Sequence, residues 1–477
     1  MDARFIAAVA AVSVLVVAVW QRRLLFSFSC IGAFFITNVI IVLTGVISHP
    51  FFPTAVDYSG VDLSLFVDST VAKAIVLNAG GALGIVLVYQ LTHLIIVGRF
   101  VTRRPNVLAG PATTRLGLSV VRTVIASLAI LLFVLVFVVR NGSILSAGIL
   151  KGLMLGRDLY VIEMRRTIGE NYLTMLVLLN CVPFIGVALW LAARHRSAPL
   201  LYVFAVLYNV VALAALILTF QKRPVLLYLI ALSIAEVWCS VYRRRKVGMR
   251  RKLTVATIRR RALIALVAVF CSLMGLYYAH SAFARGSEDE APSFFHSVSI
   301  LALVSAKTIV YGISLPAIMH VHYFPAVEPY YGIWNIRMVS NLTGHPLYKN
   351  NIPVFEYFYH QTGGSVAIPA LMDFYGAFGL IGWGFGVILL GVLLERLDWW
   401  LLHLRPTASR TLLAIFLFWF AYYLSHASLA NSLLGYGGGI FVALWLFVSV
   451  RFGNPHYAVL ARLRAPVVMR AVAERRS

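Results

Sequence analysis

Between positions 320 and 373 the chain gathers seven side chains able to move a proton: His320, His322, Glu328, His345, Glu356, His360 and Asp373. Histidine has the unperturbed pKa nearest neutrality, which makes it the readiest base toward a hydroxyl nucleophile. Each imidazole can equally be a hydrogen-bonded structural group, and spacing alone does not separate the two. Asp373 stands apart, because it lies a few residues inside an otherwise apolar run, where a carboxylate is expensive to keep without a use. The run Glu288-Asp289-Glu290 imitates a cation site only superficially and reads as a solvated loop.

A second set of side chains is cationic. In Gln221-Lys222-Arg223-Pro224 the proline opens a helix, and the free N–H groups and dipole of a helix start favour an anion such as phosphate. Snorkelling of Lys222 and Arg223 to lipid headgroups is the competing reading. For Arg165 and Arg166 the competitor is an amphipathic helix resting on anionic lipid.

The elements that must hold these groups are membrane helices. Of 477 residues 61% are hydrophobic and 12% charged, against about a quarter charged in an ordinary soluble domain. The apolar residues form runs of roughly 17–25, the length a helix needs to cross about 30 Å of hydrocarbon. Lipid leaves unpaired backbone groups unsatisfied, so helices are the default. The spacing predicts spans over 4–20, 24–47, 70–97, 118–139, 171–193, 199–219, 224–242, 262–282, 369–394, 410–427 and 438–452. The first lacks a basic leader and a small-residue cleavage site, and reads as a membrane helix and not a signal peptide. Gly382-xxx-Gly386 is a close-packing spacing for membrane helices.

Charge then sets the topology. The net charge of +24 comes from Lys and Arg clustered at the ends of apolar runs, which is the positive-inside signature and not a nucleic-acid footprint. With eleven crossings, one face collects most of the 41 basic residues, including the basic tail 453–477. A twelfth crossing over 294–319 would put that tail outside, so 283–368 reads as one long external segment with a re-entrant or interfacial helix. The chain thus divides into 1–282 with helices 1–8 and an external basic loop 140–170, the external segment 283–368, helices 9–11 over 369–452, and the tail. Loop 48–69 has no Lys or Arg, whereas loop 140–170, the turn at Lys222-Arg223 and the long segment with Arg285, Lys307, Arg337 and Lys349 keep cations where topology disfavours them. Such placement points to an anionic ligand.

Other chemistries lack their signatures. There is no GxxxxGK[ST] loop, GxGxxG unit, HExxH or GxSxG. Cys30, Cys181, Cys239 and Cys271 show no CxxC spacing, which argues against a zinc site or a disulfide framework.

The chain resembles the bacterial oligosaccharide repeat-unit polymerases, the Wzy-type or O-antigen polymerase group, which is related to the O-antigen ligases. Three places carry the likeness: Phe220-Gln221-Lys222-Arg223-Pro224-Val225-Leu226-Leu227, the segment Trp334-Asn335-Ile336-Arg337-Met338-Val339-Ser340-Asn341, and Asp373-Phe374-Tyr375-Gly376-Ala377-Phe378-Gly379-Leu380-Ile381-Gly382. The chain departs from the pattern with Asp at 373 where Glu is commoner and Pro after Arg223 where Gly is common. The resemblance implies an all-α integral membrane protein of GT-C-like architecture in the bacterial inner membrane, with a periplasmic active site and a cytoplasmic C-terminus. It implies a glycosyltransferase that joins oligosaccharide repeat units carried on polyprenyl pyrophosphate, with the bilayer and a chain-length regulator as partners, no nucleic acid and no metal or other cofactor. In that chemistry Arg223 and Arg337, helped by Arg165, Arg166 and Lys222, bind the pyrophosphate. His345, His360 or Asp373 accepts the hydroxyl proton. Tyr330, Tyr331, Trp334, Tyr357 and Tyr359 stack on sugar rings, although an aromatic belt at the interface is the ordinary explanation for such residues.

Overall fold

The computed structural model describes residues 2–26, 28–51, 66–98, 117–140, 172–196, 198–218, 222–246, 314–335, 339, 342–360, 365–404 and 407–449. Within them the chain is mostly helical, and the only β-type pairing among the described residues is an isolated bridge between Leu118 and Ser449. Eight described helices are long and apolar enough to cross a membrane: α1 (Ala3–Trp20), α2 (Cys30–Ser48), α3 (Asp68–Val97), α4 (Val120–Arg140), α5 (Leu173–Arg196), α6 (Pro199–Leu216, continuing to Leu218), α10 (Ala370–His403) and α12 (Asn431–Val448). Between them lie α7 (Lys222–Lys246), α8 (Ser314–Ala326), α9 (Asn351–Tyr359) and α11 (Ala408–Leu424). The apolar stretches Pro224–Cys239 of α7 and Ala408–Leu424 are shorter than the eight. The expected span 262–282 lies outside the described residues.

The outer surface is that of a protein in lipid. Leu200 and Ile381 are 85% and 84% exposed, and α1 shows Phe5, Val9, Val12, Val16 and Val19 on its outer side. That much exposed apolar surface is foreign to a soluble monomer.

Helix ends that successive crossings assign to the same face do meet. At the basic end Gln90 donates to Gln21 (3.0 Å), and Arg122 donates to the carbonyl of Phe447 (3.2 Å). Arg194 pairs there with Glu236. At the opposite end Arg4 reaches the carbonyl of Pro50 (3.2 Å), Phe66 packs on Phe358 (5.5 Å between ring centres) and Asn180 donates to the carbonyl of Gly435 (3.1 Å).

Two carboxylates tie the basic end together. Asp398 of α10, 1% exposed, accepts the N–H groups of Cys30 (2.6 Å) and Ile31 (3.3 Å) and the hydroxyl of Tyr89 (3.0 Å). It thereby caps the start of α2 beside the Ser29 hydroxyl, which accepts the Gly32 N–H. This cap explains why the second span begins at Cys30: Arg22–Leu25 is a separate short helix ahead of it. Glu395, one turn before, holds His93 of α3 at 2.8 Å and Arg396.

The long pair α3 and α10 lie close because small residues let them. A methyl group on Gly84 would meet Val387 at 2.9 Å, and one on Gly391 would meet Val88 at 2.7 Å. Gly382 and Gly386, which carry the close-packing spacing, instead face Phe374 of their own helix, at 2.1 Å from its carbonyl and 2.6 Å from its ring for an added Cβ. The cause is a break in α10. Phe378 (φ −139°, ψ 19°) and Gly379 (φ 64°, ψ −143°) leave the helical region, the second in a conformation open to glycine.

The helix α8 falls partly within the expected re-entrant segment 294–319, whose first part lies outside the described residues. Its residues from Ser314 to Phe324 are buried save for the half-buried His322, among α2, α3 and α10. A helix apolar on all sides belongs inside protein.

Candidate functional site

Asp373 sits in the first turn of α10, where the positive end of the helix dipole favours a carboxylate. Three donors converge on its Oδ1: the hydroxyl of Tyr331 at 2.8 Å, Nδ2 of Asn335 at 2.9 Å and Nδ2 of Asn350 at 2.6 Å. Tyr331 in turn accepts from Asn350 at 2.7 Å. Among the described residues Oδ2 accepts no hydrogen bond, and Asp373 is only 8% exposed. One oxygen is therefore anchored and the other is available.

The break in α10 explains how the external segment supplies those donors. Where the helix stops, the carbonyls of Gly376 and Ala377 lose partners within it, and they accept the N–H groups of Tyr331 (3.3 Å) and Gly332 (2.9 Å). The phenol of Tyr330 lies against Gly379, 2.8 Å from where a Cβ would stand. Residues 330–332 are thus fastened to the outer piece of α10 by backbone bonds and by the Tyr331 hydroxyl.

A second layer surrounds this core. Tyr331 stacks on Tyr348 (5.1 Å, 24°), and Tyr348 donates to Glu328. Burial, followed by the Asp373 charge, holds the Tyr331 phenol well above its ordinary pKa, and burial with the Glu328 contact does the same for Tyr348. Both remain protonated donors. Tyr375 donates to the carbonyl of Phe324 (3.2 Å) and packs edge-on to Tyr330, while Lys73 of α3 places its ammonium 5.2 Å from the Tyr375 ring centre.

Three histidines border the same end. His320 is completely buried, its ring 5.2 Å from that of Phe324 and edging Gly376, and neither ring nitrogen has a partner among the described residues. Burial pushes its pKa down to about 3. His49 packs on Phe66, and His322 on Phe358 and Tyr357; burial lowers both.

The structure brings Asp373 and Tyr331 into contact and sets Tyr330 beside the break. Trp334 lies tilted against His345, 4.1 Å between ring centres, and His345 is exposed. Tyr357 is half-buried against His322 and Tyr323. Tyr359 stacks on Phe355 (4.5 Å) within α9. His360 caps α9 in a left-handed conformation (φ 50°) and is exposed. Lys222 and Arg223 occupy the first two positions of α7, ahead of Pro224. Arg165, Arg166 and Arg337 lie outside the described residues.

Asn335, Asn350, Lys73 and His49 are the additions. Loop amides carry no spacing rule that would single them out. Lys73 did carry a signal, the same as that of Asp373: one charge a few residues inside an apolar run.

Chemically, a half-anchored carboxylate among amides and tyrosine faces can accept a proton from a hydroxyl or hold a polyol. No group of three or more His, Cys, Asp or Glu suited to a metal occurs among the described residues. No family model, curated protein or solved structure matches the chain, so the functional assignment rests on the site itself.

Proposed function

We propose that this protein is a membrane glycosyltransferase that polymerises oligosaccharide repeat units carried on polyprenyl pyrophosphate, for a surface polysaccharide. The observation that carries the reading is Asp373, a carboxylate just inside a membrane helix with Oδ1 held by three donors and Oδ2 without a hydrogen-bond partner among the described residues. In the reaction, Oδ2 takes the proton of the attacking sugar hydroxyl as its oxygen bonds to the anomeric carbon. The bond from that carbon to the pyrophosphate breaks, and the lipid pyrophosphate leaves. Arg223 and Arg337, with Arg165, Arg166 and Lys222, neutralise the charge that develops on it. Tyr330, Tyr331, Trp334 and Tyr357 supply faces for sugar rings. On this reading the chain crosses the inner membrane eleven times in a GT-C-like arrangement, the site faces the periplasm and the C-terminus lies in the cytoplasm.

A ligase that moves finished glycan onto a lipid core would use the same chemistry. A second class, a transporter of lipid-linked sugars, is favoured by one feature: α10 is broken next to an ionisable residue, as discontinuous transporter helices are.

Purified protein in detergent, given a polyprenyl-pyrophosphate-linked repeat unit, is expected to yield a ladder of longer products on gels. Asp373→Asn should cut the rate about 10²–10⁴-fold, the usual worth of a general base, and Arg223→Ala should shorten or abolish the ladder. An undiminished ladder from Asp373→Asn sinks the assigned mechanism. Movement of the lipid across proteoliposomes with no extension favours the transporter.

A further inference from the structure

His320 is a completely buried imidazole beside the Asp373 site, and it lacks a hydrogen-bond partner among the described residues at both Nδ1 and Nε2. A buried imidazole in that state has given up the hydration of a donor and an acceptor for nothing within the protein. Phenylalanine or leucine would fill the same apolar surroundings without that loss. The residue type is therefore held against the interest of stability, which is the mark of a group kept for a ligand.

Its orientation says where the ligand sits. The edge of the ring at Cδ2, the atom bonded to Nε2, faces Gly376, one turn after Asp373. A methyl group on Gly376 would lie 3.3 Å from that Cδ2, 2.8 Å from Cε1 of Tyr331 and 3.2 Å from the Tyr331 hydroxyl. The bare glycine lets imidazole and phenol flank the same stretch of helix, and the phenol leads directly to Asp373. Around them stand the amides of Asn335 and Asn350 and the faces of Tyr331 and Tyr348. Amides, a carboxylate and aromatic faces are the complement of a sugar, whose hydroxyls pair with the first two and whose C–H surface packs on the third.

We propose that His320 is a binding residue of this site, taking a sugar hydroxyl at Nε2 beside Gly376. The inference rests on the glycosyltransferase reading only for the class of ligand. It assigns His320 to recognition, beside Asp373.

The test uses the full chain purified in detergent, as wild type, His320→Phe and His320→Leu. The probes are the methyl glycosides of glucose, galactose and N-acetylglucosamine, and the readout is the shift each produces in the thermal unfolding midpoint. Without probe, the variants are expected to unfold at the wild-type temperature or above it. At least one glycoside should stabilise the wild type, and the variants should bind it about tenfold more weakly, the worth of one hydrogen bond. Equal binding by a folded variant overturns the proposal, as does the failure of both variants to fold, or no shift with any glycoside on the wild type. Polymer synthesis by the same wild-type preparation is scored separately. Its absence alongside His320-dependent glycoside binding rejects the enzyme and leaves the sugar subsite standing; its presence, unchanged in His320→Phe, does the reverse.

Discussion

Asp373 was legible at the level of single residues because a charge inside an apolar run is rare enough to demand a reason. The donors that define its geometry were not, since Asn335 and Asn350 approach it from positions 38 and 23 residues away through loops. His345 and His360 have the right chemistry by type, and the structure places both at exposed positions. Burial of His320 has a consequence for pH. Its pKa falls from 6.5 to about 3 on folding, so below about pH 6.5 the unfolded chain takes up a proton that the folded one refuses. Stability from this group is complete above that value and declines as the pH drops toward 3, by about 1.4 kcal/mol per pH unit. His49 and His322 are lowered by burial and act in the same direction. Unfolding midpoints measured between about pH 7 and 4 should fall for the wild type and fall less for His320→Phe; parallel curves would contradict the burial of this imidazole.

Among elements, the eight long apolar helices followed from their hydrophobic runs, but their joints did not. A run of apolar residues gives length without saying where a helix stops, and the start of α2 at Cys30 is decided by Asp398 from the far end of the chain. That cap is also a load on stability. Asp398→Asn keeps the shape and removes the charge at a buried helix start, so it should cost roughly 2 kcal/mol, and Tyr89→Phe roughly 1 kcal/mol. Denaturant or thermal unfolding of both variants checks this, and no loss in Asp398→Asn would show the cap to be ornamental. The glycine spacing at 382 and 386 was likewise visible without its meaning. The break at Phe378–Gly379 brings Phe374 onto those glycines, while Gly84 and Gly391 serve the contact between α3 and α10.

For the whole molecule, the clustering of Lys and Arg predicts an alternation of crossing directions, because each crossing reverses the chain and the charges mark every second turn. It implies that Leu342, near the Asp373 end, and His403, near the basic end, lie on opposite sides of a bilayer; both are exposed. A membrane-impermeant thiol reagent added to intact cells should label one of Leu342→Cys and His403→Cys, and the other only after permeabilisation. Labelling of both from one side would refute the arrangement. The break in α10 matters at this scale too. Its outer turn is fastened to the 330–332 stretch, while its shaft below Gly379 is held to α3 at Gly84 and Gly391 and to α2 through Asp398, so one glycine joint is where the membrane bundle and the donors of the carboxylate must be kept in step.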